Sequence, residues 1–239
     1  MARRSALETG LELGFALFPQ VSLDQIAARA ARHHLEVLGA FHPEPDHKAP
    51  DGVGTMVLLG PSEPGFWDHF KSSSEWADRE ADSLDRWSER VITGIAETVQ
   101  GRAYFPFGGP PYHAFYRWAL AGGECWESPV SLLVHARAGL MVSFRGAIGL
   151  HEKLDLPQRP RSPCDECAKP CLSECPAKAL TGDGYDVPAC HAYLDGPNGA
   201  KHLKMGCSVR RACPISQSYG RLPEQSAYHM GLFHPREIT

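Results

Sequence analysis

The chain has 239 residues, 43% of them hydrophobic and 22% charged, enough apolar side chain to bury a core as one large domain or two modest ones, so disorder is not expected. A formal net charge of -4 gives no chain-wide footprint for DNA or RNA, and no window approaches the apolar run that a membrane span needs. The expectation is a soluble, cytoplasmic protein.

Ser22 stands before an alanine-rich run with Asp24 in its first turn, which predicts a capped helix over 23–31. Short apolar runs at 35–41 and 55–59, bounded by Gly and Pro, predict strands, with a Pro/Asp/His-rich loop over 42–52 between them. From 76 to 100, Leu84, Trp87, Val91, Ile95 and Val99 recur at three- and four-residue steps, which predicts one long amphipathic helix against a sheet. The Gly/Pro-rich aromatic stretch 104–112 reads as a structural plug or a ligand wall, and 113–120 as a helix. Segments 130–135 and 140–150 read as two strands joined by the turn Ala136-Arg137-Ala138-Gly139, a hairpin closing the sheet of the first domain. The Pro/Arg-rich segment 156–163 marks a boundary between domains 1–155 and 156–239.

Seven of the eight cysteines lie between Cys164 and Cys213. Disulfide frameworks usually spread along a chain, so in a reducing cytoplasm this clustering points to metal binding. Cys164-x2-Cys167-x3-Cys171-x3-Cys175-Pro176 is one residue longer than the bacterial ferredoxin run, and its tail is expected to start a helix at Ala177. Cys190 follows, and then Cys207-x5-Cys213-Pro214 repeats the Cys-Pro ending. In the two-cluster ferredoxin plan the fourth cysteine of each run serves the other cluster. On that plan Cys164, Cys167, Cys171 and Cys213 bind one [4Fe-4S] cluster. Cys175, Cys190 and Cys207 face a second, with Arg210 near the place of the missing ligand. A three-iron cluster, a four-iron cluster with an open iron, and no cluster all remain open there, and a four-cysteine zinc site is the alternative for the constellation as a whole. Cys125, with no partner near it in sequence, reads as a buried thiol.

The stretch 132–146, Leu-Leu-Val-His135-Ala-Arg-Ala-Gly139-Leu-Met-Val-Ser-Phe-Arg145-Gly146, resembles a hairpin of the cobalamin-processing family of methylmalonic aciduria type C. It also resembles the matching hairpin of the epoxyqueuosine reductases, whose cysteine runs likewise follow it. The resemblance implies an α/β fold: a nitroreductase- or flavin-reductase-like mixed sheet flanked by helices, followed by a small, α-rich, ferredoxin-like iron–sulfur domain. It also implies a cobalamin or flavin site in the first domain. His135 and Arg145 fall on its motif positions, and His113 and Tyr112 of the neighbouring aromatic loop are further cofactor-binding candidates, with structural hydrogen bonding as the alternative for His135 and Arg145. Ser128-Pro129-Val130 departs from the Gly-x-x-Gly-Lys-Asn segment of those reductases, so no catalytic residue is carried over.

Three functions follow. The first is an oxidoreductase passing single electrons from a cluster to cobalamin or flavin, supplied by a donor protein or a small reductant. The second is a non-catalytic electron carrier or cobalamin chaperone. The third is a zinc-stabilised module binding RNA, tRNA included, through Lys201, His202, Lys204, Arg210 and Arg211. Beside a cluster, Arg210 and Arg211 would instead raise its reduction potential or dock an acidic donor.

Overall fold

The computed structural model describes residues 21–234; the first 20 residues and the last five, included in the expected domain ranges, lie outside it. The Ser22 side chain accepts a hydrogen bond from Gln25 N at 3.2 Å and opens α1, Leu23–Ala31. The two expected strands follow as β1, Leu35–Phe41, and β2, Thr55–Pro61. Helices α2 (Phe66–Lys71), α3 (Ser74–Ala77) and α4 (Ser83–Thr98) lead to β3, Arg102–Tyr104, and then to α5, Phe115–Ala121.

The single helix expected over 76–100 is broken between α3 and α4. The intervening Asp-Arg-Glu-Ala-Asp run has no apolar face, and Asp78 Oδ1 accepts from Glu80 N at 2.8 Å, a local turn that competes with the helical ladder. Arg79 and Asp82 take the left-handed conformation, with φ of 60° and 53°.

The expected hairpin is not formed. β5, Leu133–His135, pairs with β4, Cys125–Glu127, in a separate two-stranded sheet, whereas β6, Gly146–Leu150, joins the main sheet. The turn itself closes, through His135 N to Gly139 O at 3.0 Å and Gly139 N to His135 O at 2.9 Å. Beyond it, main-chain groups of the next residues bond to the C-terminal segment instead of to β5: Leu140 N donates to Ser216 Oγ at 2.9 Å, and Arg210 donates to Leu140 O. Gly139 fits only without a side chain, since its φ is 56° and a Cβ would meet Ser216 N at 2.6 Å.

The main sheet has the order β1-β2-β6-β3 and is antiparallel at every pairing, not mixed. β2 and β3 run in the same direction, but β6 inserts between them and runs against both. Every residue of β2 and β6 is buried, because both faces of the sheet are covered. Val57 and Leu59 pack with Ile26, Phe66, Phe70, Trp87, Val91 and Ile148 on the α1, α2 and α4 side. Their alternates Met56 and Leu58 pack with Phe41, Phe115 and Trp118 on the α5 side. The result is an α/β fold with helices on both faces of the sheet.

After the 156–163 stretch come β7 (Leu180–Thr181), β8 (Gly184–Tyr185), α6 (Val187–Asp195), α7 (Ala200–Met205), α8 (Ser208–Ala212), α9 (Pro214–Ser218) and α10 (Pro223–Phe233). No helix starts at Ala177. Lys178 adopts a φ of 52° and Ala179 N donates to the Cys175 sulfur at 3.2 Å, so the N–H that would continue a helix is already engaged. The chain then returns to the first layer: Tyr228 packs on Trp67 with ring centroids 5.1 Å apart, and Tyr219 OH donates to Pro61 O. Among the described residues no helix is long and apolar enough to cross a membrane.

Replacing Ser216 with alanine leaves the buried Leu140 N–H without its acceptor. The expected loss is ~1–3 kcal/mol, read as a lower denaturation midpoint in urea with an unchanged slope. An unchanged midpoint would show that the bond does not hold the two parts together.

Candidate metal centre

Seven cysteines that span fifty residues of sequence converge into two groups. Cys164, Cys167, Cys171 and Cys213 line one cavity of about 390 Å³, whose wall also includes Val134, Leu140, Ile215, Ser128, Glu166 and Lys169. A 3₁₀ turn, Pro170–Leu172, carries Cys171 inward, and Cys213 sits at the junction of α8 and α9. The residue added to the ferredoxin spacing is absorbed by this loop, where Lys169 takes a φ of 56° and its N–H donates to the Cys167 sulfur at 3.3 Å. Burial, and then the proximity of the other thiols, pushes the Cys164 and Cys171 thiols upward.

Cys175, Cys190 and Cys207 line a second cavity, of about 280 Å³. Asp186 caps α6 by accepting from Ala189 N at 3.0 Å, and this fixes the turn that carries Cys190. Tyr185 OH donates to the Cys190 sulfur at 3.3 Å. Arg210, Arg221, His202 and His229 also line this cavity. Arg210 is held by Leu140 O, and Arg221 Nη1 donates to Met141 O at 3.0 Å. Burial, followed by the positive charge of Arg210, lowers Arg221 to about 10, and burial lowers His229 to about 3.

The thiols surround a volume rather than a point. Among the described residues, the three-residue group whose ligand atoms lie within 4.8 Å of one another is Glu44, Asp46 and His47, not a cysteine trio. A single zinc ion with Zn–S bonds of about 2.3 Å would draw four sulfurs to about 3.8 Å of each other. Soft thiolate donors around a space much larger than one ion fit a polynuclear iron–sulfur core. At the exposed Glu44 group, His47 Nδ1 already accepts from Glu44 N at 3.0 Å.

The four cofactor-binding candidates have the following neighbours. His135 is 0% exposed; its Nδ1 accepts from Arg137 N and Ala138 N, both at 3.1 Å, and its Nε2 lies 3.5 Å from Glu124. Arg145 is buried, with Nε donating to Ser88 Oγ at 2.9 Å, a second nitrogen on Asp85, and its guanidinium over the Phe107 ring. Arg145 thus has partners inside the core, whereas His135 Nε2 is buried without a hydrogen bond. His113 stacks on Trp118 with centroids 5.4 Å apart, and Tyr112 is 65% exposed. Cys125 is fully buried beside Leu38, Ala119 and Ala138, and burial raises its thiol to about 12. In the basic run, Arg211 donates to Gly206 O and Arg210 to Leu140 O, so two of the five cations proposed for RNA are engaged by the main chain.

Sequence reading missed Tyr185, Arg221 and His229. Tyr185 is five residues before Cys190, a spacing that no motif marks, and the other two reach the cavity only because α10 and the residues just before it fold back.

No family model matches the sequence, and no curated protein matches it. Among solved structures, one similar to this chain is described as the crystal structure of selenomethionine-labelled epoxyqueuosine reductase. It is 12% identical, with a TM-score of 0.43 over 85% of this chain and 68% of that one. At that score and identity, neither a shared fold nor a shared activity follows.

Burial, then the charge of Arg137, depresses the His135 pKa from 6.5 to about 4. As pH falls through that window, the unfolded chain takes up a proton that the native imidazole refuses, so stability is lost toward acid. Replacing His135 with glutamine, which keeps an acceptor near the two N–H groups, should give a shallower loss of thermal stability between pH 6.5 and 4. Parallel curves for the two proteins would contradict a buried, neutral His135.

Proposed function

We propose that this chain is an iron–sulfur redox protein that relays single electrons, with a first cluster held by Cys164, Cys167, Cys171 and Cys213 and a second by Cys175, Cys190 and Cys207. The observation that supports it most is the exchange of run-ending cysteines. Cys175 of the first run lies with Cys190 and Cys207, whereas Cys213 lies with Cys164, Cys167 and Cys171. Two clusters that share their ligand runs are the ferredoxin arrangement, and such groups supply reversible one-electron transfer when bound.

The chain's own residues would hold and tune them. Main-chain N–H groups donate to the Cys167 and Cys175 sulfurs, and the Tyr185 hydroxyl donates to Cys190; each such bond favours the thiolate and the more electron-rich state. Arg210 and Arg221 put positive charge in the wall of the second cavity. Leu140 lines the first cavity and Met141 the second, so one short segment separates the two.

An acceptor in the first α/β layer would be the cobalamin or flavin that the hairpin resemblance implies, reached through residues other than His135 and Arg145. The segment 141–143, part of that resemblance, forms one wall of the second cavity and is where such an acceptor would be met. A donor protein or small reductant would supply the electrons.

Anaerobic reconstitution of two single variants tests this reading. Cys213→Ala and Cys175→Ala should each lose about half of the bound iron, from opposite sites, leaving two different residual paramagnetic resonance signals. Identical residual signals, or no iron loss in either variant, would contradict the grouping. Stopped-flow mixing of the reduced protein with cobalamin or flavin then separates a reductase, which turns over, from a carrier or chaperone, which does not turn over even where it binds them stably.

A further inference from the structure

The second thiol group is one ligand short of the four in the ferredoxin plan, and Arg210 stands near the place of the missing cysteine. Arg210 cannot complete the set. A guanidinium stays protonated and offers no lone pair, and this one is directed to Leu140 O. The second cavity contains two other nitrogen donors, the imidazoles of His202 and His229.

His202 is the better placed. Its Nδ1 is buried and no hydrogen bond of ordinary geometry reaches it, the ring also lying near the Asn198 backbone one turn earlier; an unpaired buried nitrogen ordinarily costs ~1–3 kcal/mol. It lies on α7, five residues before Cys207, and its ring stands edge-on to Tyr193, 5.2 Å between centroids. Tyr193 is three residues after Cys190 on α6, so the two share a helix face. The ring thus packs against α6, which carries Cys190, from the helix that leads into Cys207. Gly206, which joins α7 to Cys207, has a φ of 83°, and a Cβ there would meet Ser226 of α10 at 2.7 Å. Close seating of the α7–Cys207 connection against α10 fixes where His202 stands.

We propose that His202 Nδ1 is the fourth ligand of the second site, making it a three-cysteine, one-histidine centre; this rests on the iron–sulfur reading above. The neutral imidazole donates its Nδ1 lone pair to the fourth iron, its proton stays on Nε2, and no electron changes hands. Replacing a thiolate with a neutral nitrogen removes one negative charge, so the second centre should have the higher reduction potential of the two, as histidine ligation does elsewhere.

Pulsed electron paramagnetic resonance of the reconstituted, reduced full chain, labelled with ¹⁵N-histidine, tests this directly. Strong histidine-nitrogen coupling is expected on the second-site signal. His202→Ala should abolish the coupling and release one iron of about eight, while the first-site signal stays unchanged. His202→Cys should retain all the iron, lose the coupling and lower the second midpoint potential, which guards against misreading a folding defect in the alanine variant. About eight irons without histidine coupling, or coupling that survives in His202→Ala and vanishes in His229→Ala, would overturn the assignment while leaving the two-cluster reading standing. Zinc without sulfide in the wild-type chain would overturn both.

Discussion

The main chain of Leu140 joins the two halves of the molecule: its amide donates to Ser216 Oγ and its carbonyl accepts from Arg210. Both partners come from the cysteine-bearing segment, while Leu140 itself leads toward β6 in the middle of the main sheet. The carbonyl bond is charge-assisted, and the amide bond is buried, so losing its acceptor would leave an unpaired N–H. Gly139 must lack a side chain for this approach, Arg210 is tied to a carbonyl at the wall of the second thiol group, and Cys213, three residues before Ser216, is set beside Cys171. The Arg221 bond to Met141 O repeats the same device one residue later.

That junction also explains what could be read from sequence and what could not. The Ser22 cap and the strands 35–41 and 55–59 are local or strongly patterned, and they stand in the fold as expected. The division of cysteines into two groups was legible because spacing and the Cys-Pro endings carry it within fifty residues. The segment 140–145 was misread as strand because Leu140, Met141 and Val142 are apolar. Their burial comes from packing between two cavities and a neighbouring core, not from a ladder. The break after Ala77 turns on one Asp78 side-chain bond to the main chain, which helical periodicity does not report.

The functional candidates divide by the same logic. His135 and Arg145 have the residue types of a cofactor site, and type alone does not distinguish a ligand from a buried polar group held inside the core. Tyr185, Arg221 and His229 carried no such signal and reach the second cavity through tertiary packing. Of the basic run expected for RNA, Arg210 and Arg211 each have one guanidinium nitrogen on a backbone carbonyl. Zinc, the alternative for the cysteine constellation, is told apart from iron–sulfur by metal and sulfide content.

The central claim is that two polynuclear iron–sulfur centres occupy those cavities. Quantifying metal and acid-labile sulfide in protein purified without oxygen, with paramagnetic resonance before and after dithionite, measures this most directly. The account predicts about eight irons and a matching amount of sulfide per chain, with reduced-state signals from two centres. Zinc bound without sulfide, after reconstitution with iron and sulfide had been attempted, would contradict it.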